Sequence, residues 1–177
     1  MPKSLLDLLV GTRQGEDTPV VFSDKAIKNL SDPDALNGVA PSFTTITISH
    51  AQLIALKGTV VELVPAPGAG KVIIVEFVSI LQNTTAGAYT VGEFEQLKFR
   101  YGSATGPVTV SIQTDTFLDD ATKQLLLPTV SYVALVQANI ENKALVLHHD
   151  SAIEMTGGDA ANDLKIKISY RLESTGW

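Results

Sequence analysis

The chain has no cysteine, which removes disulfides, thiol nucleophiles and cysteine-based zinc sites together. That suits a protein made in a reducing cytosol and stabilised by burial and assembly. Basic residues are scarce as well: 13 Lys and Arg stand against 19 Asp and Glu, giving a formal net charge of −6 with no basic run. A nonspecific nucleic-acid binder needs clustered cations to displace counterions from phosphate, so nucleic acid is not an expected partner. No apolar run approaches the ~20 residues of a membrane-crossing helix. Residues 1–10 begin like a signal sequence, but Asp7 interrupts their apolar character and no small-residue cleavage site follows. The expectation is a soluble protein with no membrane partner. Aromatic residues are few, with six Phe, four Tyr and one Trp, and none forms an evident sugar-stacking platform. Trp177 at the terminus is conspicuous and reads either as a packing residue at a partner or as a free end.

What is present divides at about residue 42. Residues 1–42 scatter glycine, proline and polar residues between short apolar patches, whereas 43–177 read as one β domain, a size that supports a single core. Ser4 followed by Asp7 has helix-capping spacing and Gly11 a stopping position. So short a helix is marginal alone. Leu5, Leu6, Leu8 and Leu9 make it apolar around its circumference, so it must bury against something. Two readings stand: the segment folds back on its own domain, or it is an extended arm that docks on a neighbouring subunit. Val20, Val21 and Phe22 anchor the same segment in either case.

From Phe43 onward the texture is that of strands. Residues 44–49 alternate and are β-branched. Ser49, Gln52 and Gly58 then outline a short capped helix. Strands are expected over 59–64, 72–82, 93–101, 108–112, 144–148, 153–155 and 164–172. A short helix capped by Asp119 or Asp120 is expected to run to Leu127, and 132–136 stays open between helix and strand. In 164–172, Leu164, Ile166, Ile168, Tyr170 and Leu172 share one face, with Lys165, Lys167, Ser169 and Arg171 on the other. This rhythm predicts an all-β fold, an antiparallel β-sandwich of jelly-roll form with one or two short helices and an extended N-terminal arm.

Gly68, Gly70 and Lys71 after a strand imitate a phosphate loop, but the spacing refuses it. Pro65 stands where the leading glycine is needed, Val72 replaces the hydroxyl residue, and a β-branched run follows where a helix is required. The segment reads as a strand-to-strand turn. His148, His149 and Asp150 carry metal-ligand chemistry, yet neighbouring strand residues point to opposite faces and do not chelate together. One histidine partly inside and the other at a strand end is the preferred reading. Glu93 and Glu95 read as a solvated strand face rather than an acid–base pair. Asp150, Asp159 and Asp163 lack calcium-loop spacing, and no serine sits in a Gly-x-Ser-x-Gly elbow. No catalytic, cofactor-binding or metal-binding residue is assigned, and no cofactor is expected.

Residues 59–79, Thr-Val-Val-Glu-Leu-Val-Pro-Ala-Pro-Gly-Ala-Gly-Lys-Val-Ile-Ile-Val-Glu-Phe-Val-Ser, are one of two telling stretches. The other is Asn142-Lys-Ala-Leu-Val-Leu-His148 with Thr156-Gly-Gly-Asp159 and Leu164–Leu172. In these the chain resembles the small virion structural proteins of tailed bacteriophages, most of all capsid decoration, or cement, proteins. The resemblance covers about a third of the chain and rests on turn-and-strand patterns. It implies a non-enzymatic protein of the outer capsid surface, synthesised in the host cytoplasm. It further implies a homotrimer bound to the major capsid protein, bridging neighbouring capsomers. It transfers no functional residue. The interface residues expected are Leu5, Leu6, Leu8, Leu9, Val20, Val21, Phe22 and Trp177. The rival readings are another phage structural role (tail, neck or head fibre) and a host-surface carbohydrate-binding module.

Overall fold

The computed structural model describes residues 41–92, 94–115, 117–130 and 134–176. The arm expected over 1–42 therefore lies outside the described residues except for Pro41 and Ser42. The first strand already includes Ser42, so the β body begins slightly before the expected boundary.

Among the described residues ten strands form in the order β1 (Ser42–Ser49), β2 (Val61–Val64), β3 (Lys71–Asn83), β4 (Tyr89–Thr90), β5 (Gln96–Tyr101), β6 (Val108–Gln113), β7 (Gln124–Leu126), β8 (Leu145–Asp150), β9 (Thr156–Gly157) and β10 (Asp163–Ser174). Among the same residues two short helices, α1 (His50–Ile54) and α2 (Gln137–Ile140), lie at connections. β1, β10, β3 and β7 make one four-stranded sheet, and β2, β8, β5 and β6 make another. β1 pairs with β10, β2 with β8, β3 with β7 and β5 with β6, all antiparallel. This is one long antiparallel hairpin rolled over on itself, the pairing of a jelly roll. The fold is the all-β antiparallel sandwich that the alternation of apolar residues predicts.

The core lies between the two sheets. Ile73, Val78 and Ile80 of β3 and Leu164, Ile166 and Ile168 of β10 meet Leu97 and Phe99 of β5 and Leu145 and Leu147 of β8 in a single buried cluster. The Tyr101 hydroxyl crosses this core and donates to the Ile73 carbonyl at 2.7 Å, tying one sheet to the other. In β3 the inward residues are odd-numbered up to Val75 and even-numbered from Val78. The change of phase falls at Glu76, which has no partner in β10 because Val75 pairs with Tyr170 and Phe77 with Ser169. One extra residue is what a β-bulge inserts. Here it turns both Glu76 and Phe77 outward while both halves of the strand still face the core.

Local expectations fare unevenly. The Ser49–Gln52 capping box forms in both directions. The helix ends at Ala55, however, and Gly58 only closes the following turn by donating to the Ala55 carbonyl. The helix expected after Asp119 or Asp120 is absent. The Asp120 carboxylate instead accepts from the Thr122 amide and hydroxyl at 2.8 Å, a local turn that competes with helix initiation, and β7 follows. Residues 153–155 are not a strand; the pairing falls one step later, where Thr156 of β9 meets Thr90 of β4. Of the open segment 132–136, residues 134–136 belong to no element, and α2 begins directly after them.

Candidate functional site

The imitation phosphate loop is a turn with its amides already engaged. Gly68 and Gly70 adopt φ of +97° and +71°, conformations open to glycine without steric penalty. The Gly68 amide donates to Asn142 Oδ1 and the Gly70 amide to Glu141 Oε1, both at 3.0 Å. An internal carboxylate thus occupies the position in which an anion would be cradled. Hydrogen bonds from Gln137 and from the Gly70 amide hold the Glu141 carboxyl below its ordinary range.

The histidines separate as strand geometry demands. His149 points into the sandwich in register with Leu97 of β5 and is fully buried, with Glu95 Oε2 at 3.3 Å from its Nε2. Burial pushes the His149 imidazole below its ordinary pKa, and this outweighs the opposing pull of Glu95. His148 is buried as well, with Nε2 at 3.2 Å from the Lys57 carbonyl. The expectation of one histidine partly inside and the other at a strand end is therefore corrected, since both are buried: α1 and the turn after it cover that part of β8, as shown by the His149 amide donating to the Leu56 carbonyl.

Glu95 also departs from expectation. It is buried in a turn ahead of β5, where its carboxylate accepts from the Gly92 amide at 2.8 Å, so it is no solvated strand face; Glu93 lies outside the described residues. The turn locked by Glu95 holds Phe94 outward at 78% exposure with a φ of +61°, strain uncommon for a bulky residue.

The remaining candidate carboxylates do not converge. Asp150 pairs with Lys98 and with Arg100 at 3.1 Å. The hydrogen bond from Lys98 holds its carboxyl below the usual range, with the two positive charges adding to the effect. Asp159 caps its own turn through the Ala161 amide at 2.8 Å. Asp163 opens β10, and burial, with the charges of Asp163 and Asp159 adding to it, pushes the Tyr89 phenol up to about 12. Beside that phenol stands His50, 3.2 Å from its oxygen and stacked on its ring. Among the described residues no three metal-ligating side chains gather.

A surface depression of about 710 Å³ lies among Gly102, Ser103, Gly106, Pro107, Asn139 and Lys143, above the buried Tyr101. It offers small polar side chains and no exposed aromatic ring. Neither histidine pair borders it.

The two outward sheet faces differ sharply in chemistry. On the β2–β8–β5–β6 sheet the outward rows read Asp150–Gln96–Gln113 and His148–Lys98–Ser111, a polar face whose charges pair with each other. On the β1–β10–β3–β7 sheet one row is Phe43–Ser169–Phe77 and another Thr47–Lys165–Leu81–Leu125. Phe43 is 62%, Phe77 47% and Leu125 65% exposed. Sequence reading missed this set. Its signal was present in the outward phase of β1 and β10, but Phe77 joins it only through the bulge at Glu76.

The interface residues expected from sequence, Leu5, Leu6, Leu8, Leu9, Val20, Val21, Phe22 and Trp177, all lie outside the described residues. No family model, no curated protein and no solved structure matches the chain.

Proposed function

We propose that this is a non-enzymatic structural protein of a tailed-bacteriophage virion, a capsid cement protein that binds the outer shell through the major capsid protein and stabilises it by bridging capsomers. The observation that carries this reading is the jelly-roll body that leaves Phe43, Phe77 and Leu125 exposed together on one sheet face, since contact between surfaces needs area and fit rather than a reacting centre. A fold alone does not define a function. What adds weight is that several groups with reactive potential are held inside the fold: Asp150 pairs with Lys98 and Arg100, the Gly70 amide donates to Glu141, and His149 is sealed in the core beside Glu95. Residues 1–40 supply the second contact, an arm whose leucines and Val20, Val21 and Phe22 seat on the shell or on an adjacent copy. Ordering such an arm has an entropic cost, which many copies on one shell offset through multivalency.

The test is immunogold electron microscopy of virions. Label spread over the icosahedral shell is expected; label confined to the tail, neck or one vertex would move the protein to another structural role. In parallel, the body from Pro41 onward should fold without residues 1–40 yet bind capsids more weakly than the full chain. Equal binding by the two would remove the arm from the mechanism.

A further inference from the structure

We infer that the outward face of the β1–β10–β3–β7 sheet is the surface that seats on the capsid, and that the patch of the major capsid protein beneath it combines apolar side chains with carboxylates. The choice of partner rests on the cement reading; the choice of face rests on the following chemistry. Phe43 and Phe77 flank β10 in one cross-strand row, with Ser169 between them, buried although it points to the outward side. Leu81 and Leu125 pair two rows away, so four large apolar side chains share one face. Scattered exposed apolar residues are ordinary, but here two apolar pairs gather on one face on either side of the Thr45–Lys167–Ser79 row, and such a gathering marks an interaction surface.

Charge then selects the partner. Lys165 and Lys167 stand at the centre of the same face, and among the described residues neither has an ion-pair partner. Lys167 rests its ammonium 5.5 Å from the centre of the Phe43 ring. On a chain of net charge −6, two unpaired lysines framed by apolar residues are complementary to an acidic, apolar patch. A second copy meeting this face about a two-fold axis would bring Lys165 and Lys167 toward their own counterparts, and like charges so placed oppose association. The opposite sheet offers no comparable surface, because Lys98 and Arg100 are already paired with Asp150.

Size limits what one contact can do. Four strands ~4.8 Å apart and about eight residues long outline at most roughly 500 Å², less than the ~800 Å² each partner contributes to a standard interface. A single copy is therefore expected to bind weakly through this face alone, and copies linked in the homotrimer of the cement reading more strongly.

The experiment is a co-sedimentation titration of the full chain on capsids of its own phage stripped of this protein. It uses wild type, Phe43→Ser/Phe77→Ser, Lys165→Glu/Lys167→Glu and, on the opposite sheet, Gln113→Arg. Circular dichroism and thermal melting verify folding of each, and light scattering reports self-association beforehand. Both sheet-face double variants should lose at least about tenfold in affinity, as hot-spot truncations do, while Gln113→Arg binds as wild type and added salt weakens the wild type. Wild-type binding with unchanged affinity in both double variants overturns the assignment of this face and leaves the cement reading standing. Equal loss in Gln113→Arg overturns it too. A dimer that Phe43→Ser/Phe77→Ser dissolves makes a second copy the occupant and overturns the choice of partner. Failure of wild type to bind stripped capsids overturns the cement reading itself.

Discussion

His149 enters the core from β8 with Glu95 3.3 Å away, and burial holds its imidazole neutral below the ordinary histidine range. The unfolded chain takes up a proton as pH falls through about 6.5, while the folded chain resists until a lower pH. Its contribution to stability is therefore complete above about pH 6.5 and declines below it, because the unfolded state binds more protons there. Urea midpoints should fall between about pH 7 and pH 5.5, and His149→Gln should flatten that slope; an unchanged slope would assign it to another group. Asn162 is a second residue on which much depends. Its Oδ1 accepts from the Thr85 amide at 2.8 Å, and its Nδ2 donates to the Ala86 and Gly87 carbonyls at 3.2 and 3.0 Å. Asn162→Ala should destabilise the protein by about 3 kcal/mol, since buried groups at both ends lose their partners; a loss under ~1 kcal/mol in denaturant melts would mean that water replaces it.

Among the elements, the turns between strands define the register. Gly70 and Gly106 separate two reasons for glycine. Gly70 has φ of +71° with open space where a Cβ would stand, whereas at Gly106 a Cβ would lie 1.8 Å from the Tyr101 carbonyl oxygen. Gly70→Ala should cost about 1–2 kcal/mol of backbone strain. Gly106→Ala should cost more, because the β5–β6 turn must move, and amide exchange should quicken at Tyr101, whose amide donates to the Pro107 carbonyl at 3.0 Å. Thermal melts of the pair decide the order; equal losses would refute the distinction. Capping chemistry was readable at Ser49 because its partner Gln52 is three residues away. At Asp120 another residue with capping chemistry made a turn instead, because its carboxylate accepts from the Thr122 amide and hydroxyl.

For the whole molecule, β3 and β10 are the spine, paired over nearly their full length and central in their sheet. Ile166 of β10 has no exposure. Ile166→Ala should destabilise by about 2–5 kcal/mol through cavity formation, read as a lower denaturant midpoint with the slope unchanged. Jelly-roll closure places the face whose charges pair with each other and the face that exposes Phe43, Phe77 and Leu125 on opposite sides of one sandwich, the division on which the proposed capsid contact depends.

The sequence by itself determined the class of fold, because strand alternation has a period of two and marks which residues face inward without reference to anything distant. It determined the Pro-Gly turn as well, since Gly68 and Gly70 act through their own backbone angles. Only the tertiary structure decided what Glu95, Glu141 and Asp150 do, as their partners His149, Gly70 and Lys98 lie 52 to 71 residues away. The same holds for the apolar face. Phe43, Phe77 and Leu125 come from three strands far apart in sequence, and their alignment depends on antiparallel register and one bulge, long-range pairings that no local pattern encodes.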